Sequence, residues 1–169
     1  MKKYILIPIA VFILSISASA QVYDNAAGLR ASVGNYGVGP EFSYQLGLSD
    51  FNRVEVGLGI GLDNNFERFG ITGAFHWAGD VQSGFSWFAG PAVAGWLYSI
   101  NAGINKNQFI NNGNSVGGGI GAQFGVQYDF DEDLSLPFTA SFDTKPMYNF
   151  VSYYSGFEFA VGLSIRYTF

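Results

Sequence analysis

His76 is the only histidine of the chain, and there is no cysteine. Acyl transfer or hydrolysis would want a nucleophile beside that base and an acid to orient it. The flanking residues are Phe75 and Trp77, and no serine is adjacent. The remaining reactive groups are carboxylates and guanidinium groups set singly into glycine-rich, apolar sequence: Arg30, Glu41, Arg53, Glu55, Asp129, Asp143, Glu158 and Arg166. Each falls on the small or polar parity of an alternating segment, with bulky apolar residues on the other parity. Successive side chains of a strand point to opposite faces, so these charges share a face with the glycines. Charges removed from bulk water must pair or change protonation. We therefore expect an interior polar network of Arg30, Glu55, Arg166, Asp129, His76, Glu41, Glu158 and Asp143, with Lys145 just beyond. Within it Arg30 and Arg166 are expected to bracket Glu55. The chemistry this predicts is pairing and sealing; no catalytic residue, metal ligand or cofactor is assigned.

The elements that must carry these residues read as eight strands: Gly28–Tyr36, Gly39–Leu48, Arg53–Leu62, Phe69–Ala78, Gly84–Tyr98, Ser115–Asp129, Ser135–Asp143 and Gly156–Phe169. The third is the cleanest, with Val54, Val56, Leu58, Ile60 and Leu62 opposed by Glu55, Gly57, Gly59 and Gly61. The last alternates from Phe157 through Phe159, Val161, Leu163, Ile165 and Tyr167 to a terminal Phe169. Ser49–Asn52, Gly79–Ser83 and Phe130–Leu134 are short connectors, whereas Asp63–Arg68, Ser99–Asn114 and Thr144–Ser155 are longer. An even strand number, with short turns at one end and longer loops at the other, predicts an all-β, eight-stranded antiparallel up-and-down transmembrane β-barrel.

Alternation alone fits a soluble barrel equally well. The other face decides the phase: it is mostly glycine, serine and glutamine, which lacks the interspersed charge of a wetted surface but suits a narrow lumen. Met1-Lys2-Lys3, an apolar run from Tyr4 to Ile16 and Ser17-Ala18-Ser19-Ala20 read as a cleavable signal peptide over residues 1–20. The barrel domain then covers 21–169, and both termini are expected on the periplasmic side of a bacterial outer membrane.

Composition agrees. Charged residues make up 12% of the chain, about half the usual share, and aromatics 18%. Without Lys2 and Lys3, six basic residues face 13 acidic ones, a net charge of −7. No basic stripe exists for a nucleic-acid partner. The rings sort to strand ends, which predicts interfacial girdles. Trp77, Trp87 and Tyr128 lie at the short-turn end, Trp96 and Tyr98 at the other. In the fifth strand Trp96 and Tyr98 switch parity relative to Phe85 and Trp87, and Pro91 lies between. A bulge near Gly90-Pro91 that turns Trp96 and Tyr98 outward is the expected explanation. Loop 99–114 is rich in asparagine, and loop 144–155 holds Met147, Tyr148, Phe150, Tyr153 and Tyr154; both are candidate contacts for an extracellular ligand.

With its signal peptide, eight alternating segments and closing Val161-x-Leu163-x-Ile165-x-Tyr167-x-Phe169, the mature chain resembles the small outer-membrane β-barrel family of OmpA-, OmpX- and OmpW-like proteins. Leu136-Pro137 followed by Ser141–Pro146 also resembles the penultimate strand and outer loop of a related barrel-domain group. The likeness implies outer-membrane lipid as surroundings, and the barrel-assembly machinery as a partner reading Leu163, Ile165, Tyr167 and Phe169. For function it implies a non-enzymatic envelope or surface-contact barrel. The alternative is an OmpW-like conduit for small hydrophobic molecules; a lipid-modifying enzyme fits His76 least.

Overall fold

The computed structural model describes residues 25–35, 37–62, 66–100, 114–150 and 155–169. They form β1 (Asn25–Gly34), β2 (Gly37–Ser49), β3 (Asn52–Leu62), β4 (Phe66–Gln82), β5 (Phe85–Ile100), β6 (Asn114–Asp129), a single helical turn α1 (Phe130–Leu134), β7 (Phe138–Phe150) and β8 (Gly156–Thr168). Each strand pairs antiparallel with its sequence neighbours, and β8 returns to β1 with Leu29 opposite Ile165. The result is a closed eight-stranded up-and-down barrel. The expected cleavage after Ala20 lies outside the described residues.

Phase follows the alternation. Leu163 is 64% exposed and Leu58 45%, whereas Arg166 is 1% exposed and Glu55 2%. This inverts a water-soluble protein, in which charges seldom lie fully inside and contiguous apolar surface seldom lies outside. The core is the lumen, and it is polar.

Turn chemistry closes the end that carries the chain termini. Ser83 and Gly84 both have positive φ, 41° and 76°, as a two-residue hairpin loop of primed type requires between Gln82 and Phe85. At α1 the Asp129 carboxylate accepts from the Asp131 N–H at 2.8 Å, and Ser135 leaves the helix in the left-handed region, φ 53°.

Three expectations need correction. First, β5 has no phase-flipping bulge at Pro91. Pro91 faces Ala122 in β6 within one unbroken register, and Ala74–Ala92 and Trp77–Ala89 keep a single register toward β4. Trp96 therefore points inward and is 9% exposed, while Leu97 faces out. Room for it comes from its cross-strand partners, Gly70 and Gly117: a Cβ on Gly70 would collide with the Trp96 ring. Tyr98 shares the strand, but its side chain lies outside the described residues. Second, β7 begins at Phe138 and runs to Phe150, so most of the supposed loop 144–155 is strand. Met147 is buried inside and Tyr148 exposed outside, as alternation demands; residues 151–154 lie outside the described residues. Third, β4 starts at Phe66, making Arg68 part of the wall. Residues 101–113 of the asparagine-rich loop also lie outside the described residues.

Pro91 is tolerated beside a glycine that lets β4 come close. A Cβ at Gly90 would strike the Phe75 carbonyl oxygen and the His76 Cα, both backbone, whereas one at Gly73 meets only Val93 Cγ2 at 3.6 Å. Gly90→Ala should therefore destabilise the folded barrel by about 1–3 kcal/mol, the usual cost of overpacking. Gly73→Ala should be close to neutral. Urea unfolding of the two variants side by side measures the contrast.

Candidate functional site

The lumen is a ladder of ion pairs, and none of them joins hydrogen-bonded neighbours. Arg166 of β8 reaches Glu55 of β3, Nη2 to Oε2 at 3.1 Å. The same guanidinium donates to Ser43 Oγ of β2 at 2.7 Å and to Ser141 Oγ of β7 at 2.9 Å. Gln45 completes the Glu55 side, donating to Oε2 at 2.6 Å. One side chain thus ties four strands together.

Arg30 of β1 grips Asp143 of β7 in bidentate fashion, its Nη2 at 2.7 Å and its Nε at 3.0 Å, and Gln123 Nε2 donates to the same carboxylate at 3.3 Å. Lys145 of β7 reaches Glu41 of β2 at 3.4 Å. Farther from the termini, Arg68 of β4 holds Glu158 of β8 through both terminal nitrogens, at 2.9 and 2.5 Å, and Asn149 donates to Glu158 at 2.8 Å. The Arg68 guanidinium lies 4.4 Å from the Trp96 ring centroid, a cation–π contact. Nearest the termini, Arg53 of β3 extends across to β6, donating to Gln127 Oε1 at 2.9 Å and to His76 Nδ1 at 3.4 Å. Phe88 lies under both groups, 4.7 Å from the guanidinium and 4.9 Å from the imidazole.

Sequence parity selected most of these residues, but not their partners. Arg30 does not bracket Glu55; it takes Asp143, while Arg166 alone reaches Glu55. Asp129 stands at the strand end, where its carboxylate caps α1. His76 is fully buried, with Nδ1 occupied by an arginine donor. Arg68 was missed as a loop residue, although it shares parity with Gly70, Thr72, Ala74 and His76. Gln45, Gln123 and Gln127 were legible as inward residues but carried no signal of what they would bind. Among the described residues no group of three or more His, Asp or Glu could hold a metal ion.

Outside, Trp77, Tyr167 and Phe169 are exposed at the termini end, where Tyr128 packs against Phe85 and Phe130 at 4.6 and 5.0 Å. Trp87 lies over Gly79 on the same outward face. Trp96 leaves that set because it lines the lumen. Leu163, Ile165, Tyr167 and Phe169 all project outward from β8 and the chain end.

A closed eight-stranded antiparallel up-and-down ring is the fold of the small outer-membrane β-barrels. Solved structures with this fold include Neisserial surface protein A, with TM-score 0.66, 15% identity, and coverage of 86% of this chain and 96% of that one. The N-terminal β-barrel domain of Pseudomonas aeruginosa OprF aligns with TM-score 0.57 and 17% identity over 88% and 100%. Ail, the attachment invasion locus protein of Yersinia pestis, solved with the heparin analogue sucrose octasulfate, aligns with TM-score 0.53 and 8% identity over 86% and 96%. No family model and no curated protein sequence matches the chain. At these identities the likeness is one of fold.

Breaking one partner of a buried pair leaves the other charge stranded, at a cost of about 3–5 kcal/mol, whereas removing both in favour of apolar groups is often neutral. Asp143→Leu should therefore destabilise strongly, and Arg30→Met/Asp143→Leu should recover much of the loss. Denaturant midpoints of the two single variants and the double variant give the coupling.

Proposed function

We propose that this protein is an integral outer-membrane barrel without enzymatic activity, with a side-chain-filled lumen, serving envelope structure or surface contacts through loops at the end opposite the termini. The observation that carries this reading is the ladder itself: four ion pairs span the lumen between non-neighbouring strands. A ring of eight strands leaves an interior that side chains fill, and here four ion pairs occupy much of it. A pocket of about 30 Å³, room for only a few water molecules, lies among Glu41, Arg68 and Trp96.

Three further features support the membrane assignment. The exposed face is apolar along every strand. The rings at the termini end suit a headgroup girdle. The outward β8 residues Leu163, Ile165, Tyr167 and Phe169 suit recognition by the barrel-assembly machinery. In this reading both termini are periplasmic, and residues 1–20 are removed on export. His76 has an arginine on one ring nitrogen and a phenyl ring against its face, which suits a structural imidazole better than a general base. A conduit for apolar molecules would want an apolar lumen pocket and a gap near Pro91. The lumen is charged, and although pairing toward β4 lapses at Gly90 and Pro91, β5 stays paired with β6 through Pro91, which disfavours that alternative.

Purified protein in planar bilayers should give no large steady conductance. Material recovered from the outer-membrane fraction should begin at Gln21. A stable open channel would overturn the sealed lumen, and recovery in the soluble fraction would overturn the membrane assignment.

A further inference from the structure

We propose that the lumen binds one small monovalent inorganic anion, of halide size, against the Arg53 guanidinium. Among the described residues the ladder contains five cations, Arg30, Arg53, Arg68, Lys145 and Arg166, and four carboxylates, Glu41, Glu55, Asp143 and Glu158. Each carboxylate is taken by one of the other four cations. Arg53, 3% exposed, has no carboxylate within ion-pair reach. Its acceptors are the neutral Gln127 amide oxygen and His76 Nδ1, and its Nη2 is buried with no hydrogen-bond partner. Because a guanidinium only donates, His76 Nδ1 must accept, so the neutral imidazole carries its proton on Nε2. That nitrogen is a second buried donor, and the Gln123 side chain is the ring's other hydrogen-bond neighbour.

A water molecule would satisfy Nη2 but not the charge, and an unpaired buried charge is the costly case. An anion satisfies both. Within the buried ladder the excess is a single charge, hence a monovalent ion, and the lumen is narrow, hence a small one; Asp80 and Asp129, on the same parity, stand half-buried at the strand ends. Arg53 is the first inward residue of β3, one position after Asn52, so the ion reaches it from the termini end of the barrel. This inference does not depend on what the loops contact.

Bromide is the probe. Crystals of the wild-type protein grown in sodium bromide should show an anomalous peak within hydrogen-bonding reach of Arg53 Nη2. In micelles, Tm should be higher in sodium chloride or bromide than in sodium gluconate at equal ionic strength. In Arg53→Gln, which balances the buried ladder at four against four, both the peak and the halide dependence of Tm should vanish. Arg53→Lys, which keeps the charge, should retain the halide dependence. A map with no peak at Arg53, a Tm indifferent to the anion in wild type, or a peak surviving in Arg53→Gln (an adventitious ion only) would overturn the proposal. If Arg53→Gln does not fold, the wild-type map and Tm decide by themselves.

Discussion

In hydrocarbon no water reaches an open sheet edge, so each unpaired backbone N–H or C=O there costs several kcal/mol. Pairing Ala26–Gly34 of β1 with Ala160–Thr168 of β8 removes both edges at once. From that closure the other features follow. Eight strands fix a cross-section too narrow for bulk water and too polar to be left empty, so the inward side chains must satisfy one another. The outward side chains, released from any core, must suit the surroundings instead, which is why Leu29, Ile60 and Ile165 are exposed. A soluble domain buries its apolar surface to fold; this barrel turns it outward and builds its interior from hydrogen bonds.

The glycines are the complement of the ion pairs. A Cβ at Gly162 would collide with the Arg30 guanidinium, one at Gly57 with the Glu41 carboxylate, one at Gly61 with Arg68, and one at Gly70 with Trp96. Large inward groups thus sit over positions where the neighbouring strand has no side chain. A barrel with more uniform inward residues would either leave voids or overfill, and both are destabilising. Read this way, Gly57, Gly70 and Gly162 belong to the charge network as much as Glu41 and Arg30 do, since each fixes the height at which a guanidinium, carboxylate or ring can lie.

This complementarity explains how much of the molecule was legible in the sequence. Period-two alternation reports which face a residue takes, and it placed Arg30, Glu55, His76, Glu158 and Arg166 inside with Leu163 and Tyr167 outside. It does not report partners across the lumen. Those depend on how far each strand is staggered around the ring, a property of the whole sheet. Hence Arg30 could be placed on the inward face, yet its partner Asp143 could not be chosen over Glu55. Strand ends failed where polar or proline residues looked like punctuation. Lys145 and Pro146 mark no turn, because Lys145 faces Glu41 inside. Trp96 fails for a different reason: Pro91 reads as a bulge that flips the phase, although Gly70 and Gly117 opposite Trp96 record the inward space.

A network of this kind is a weak source of net stability, because desolvating each ion cancels much of what its partner returns. Its contribution is to specificity of register. Arg166 satisfies Ser43, Glu55 and Ser141 only if β2, β3, β7 and β8 are staggered as they are. A slip of one residue would turn every inward charge toward lipid and every outward leucine into the lumen. Exposed apolar residues such as Leu163, Val161 and Val33 are interchangeable against lipid and cannot make that distinction. The charges can, since an arginine displaced by one position loses its carboxylate and faces hydrocarbon, so the closed barrel in this register is separated from its neighbours by several stranded charges at once.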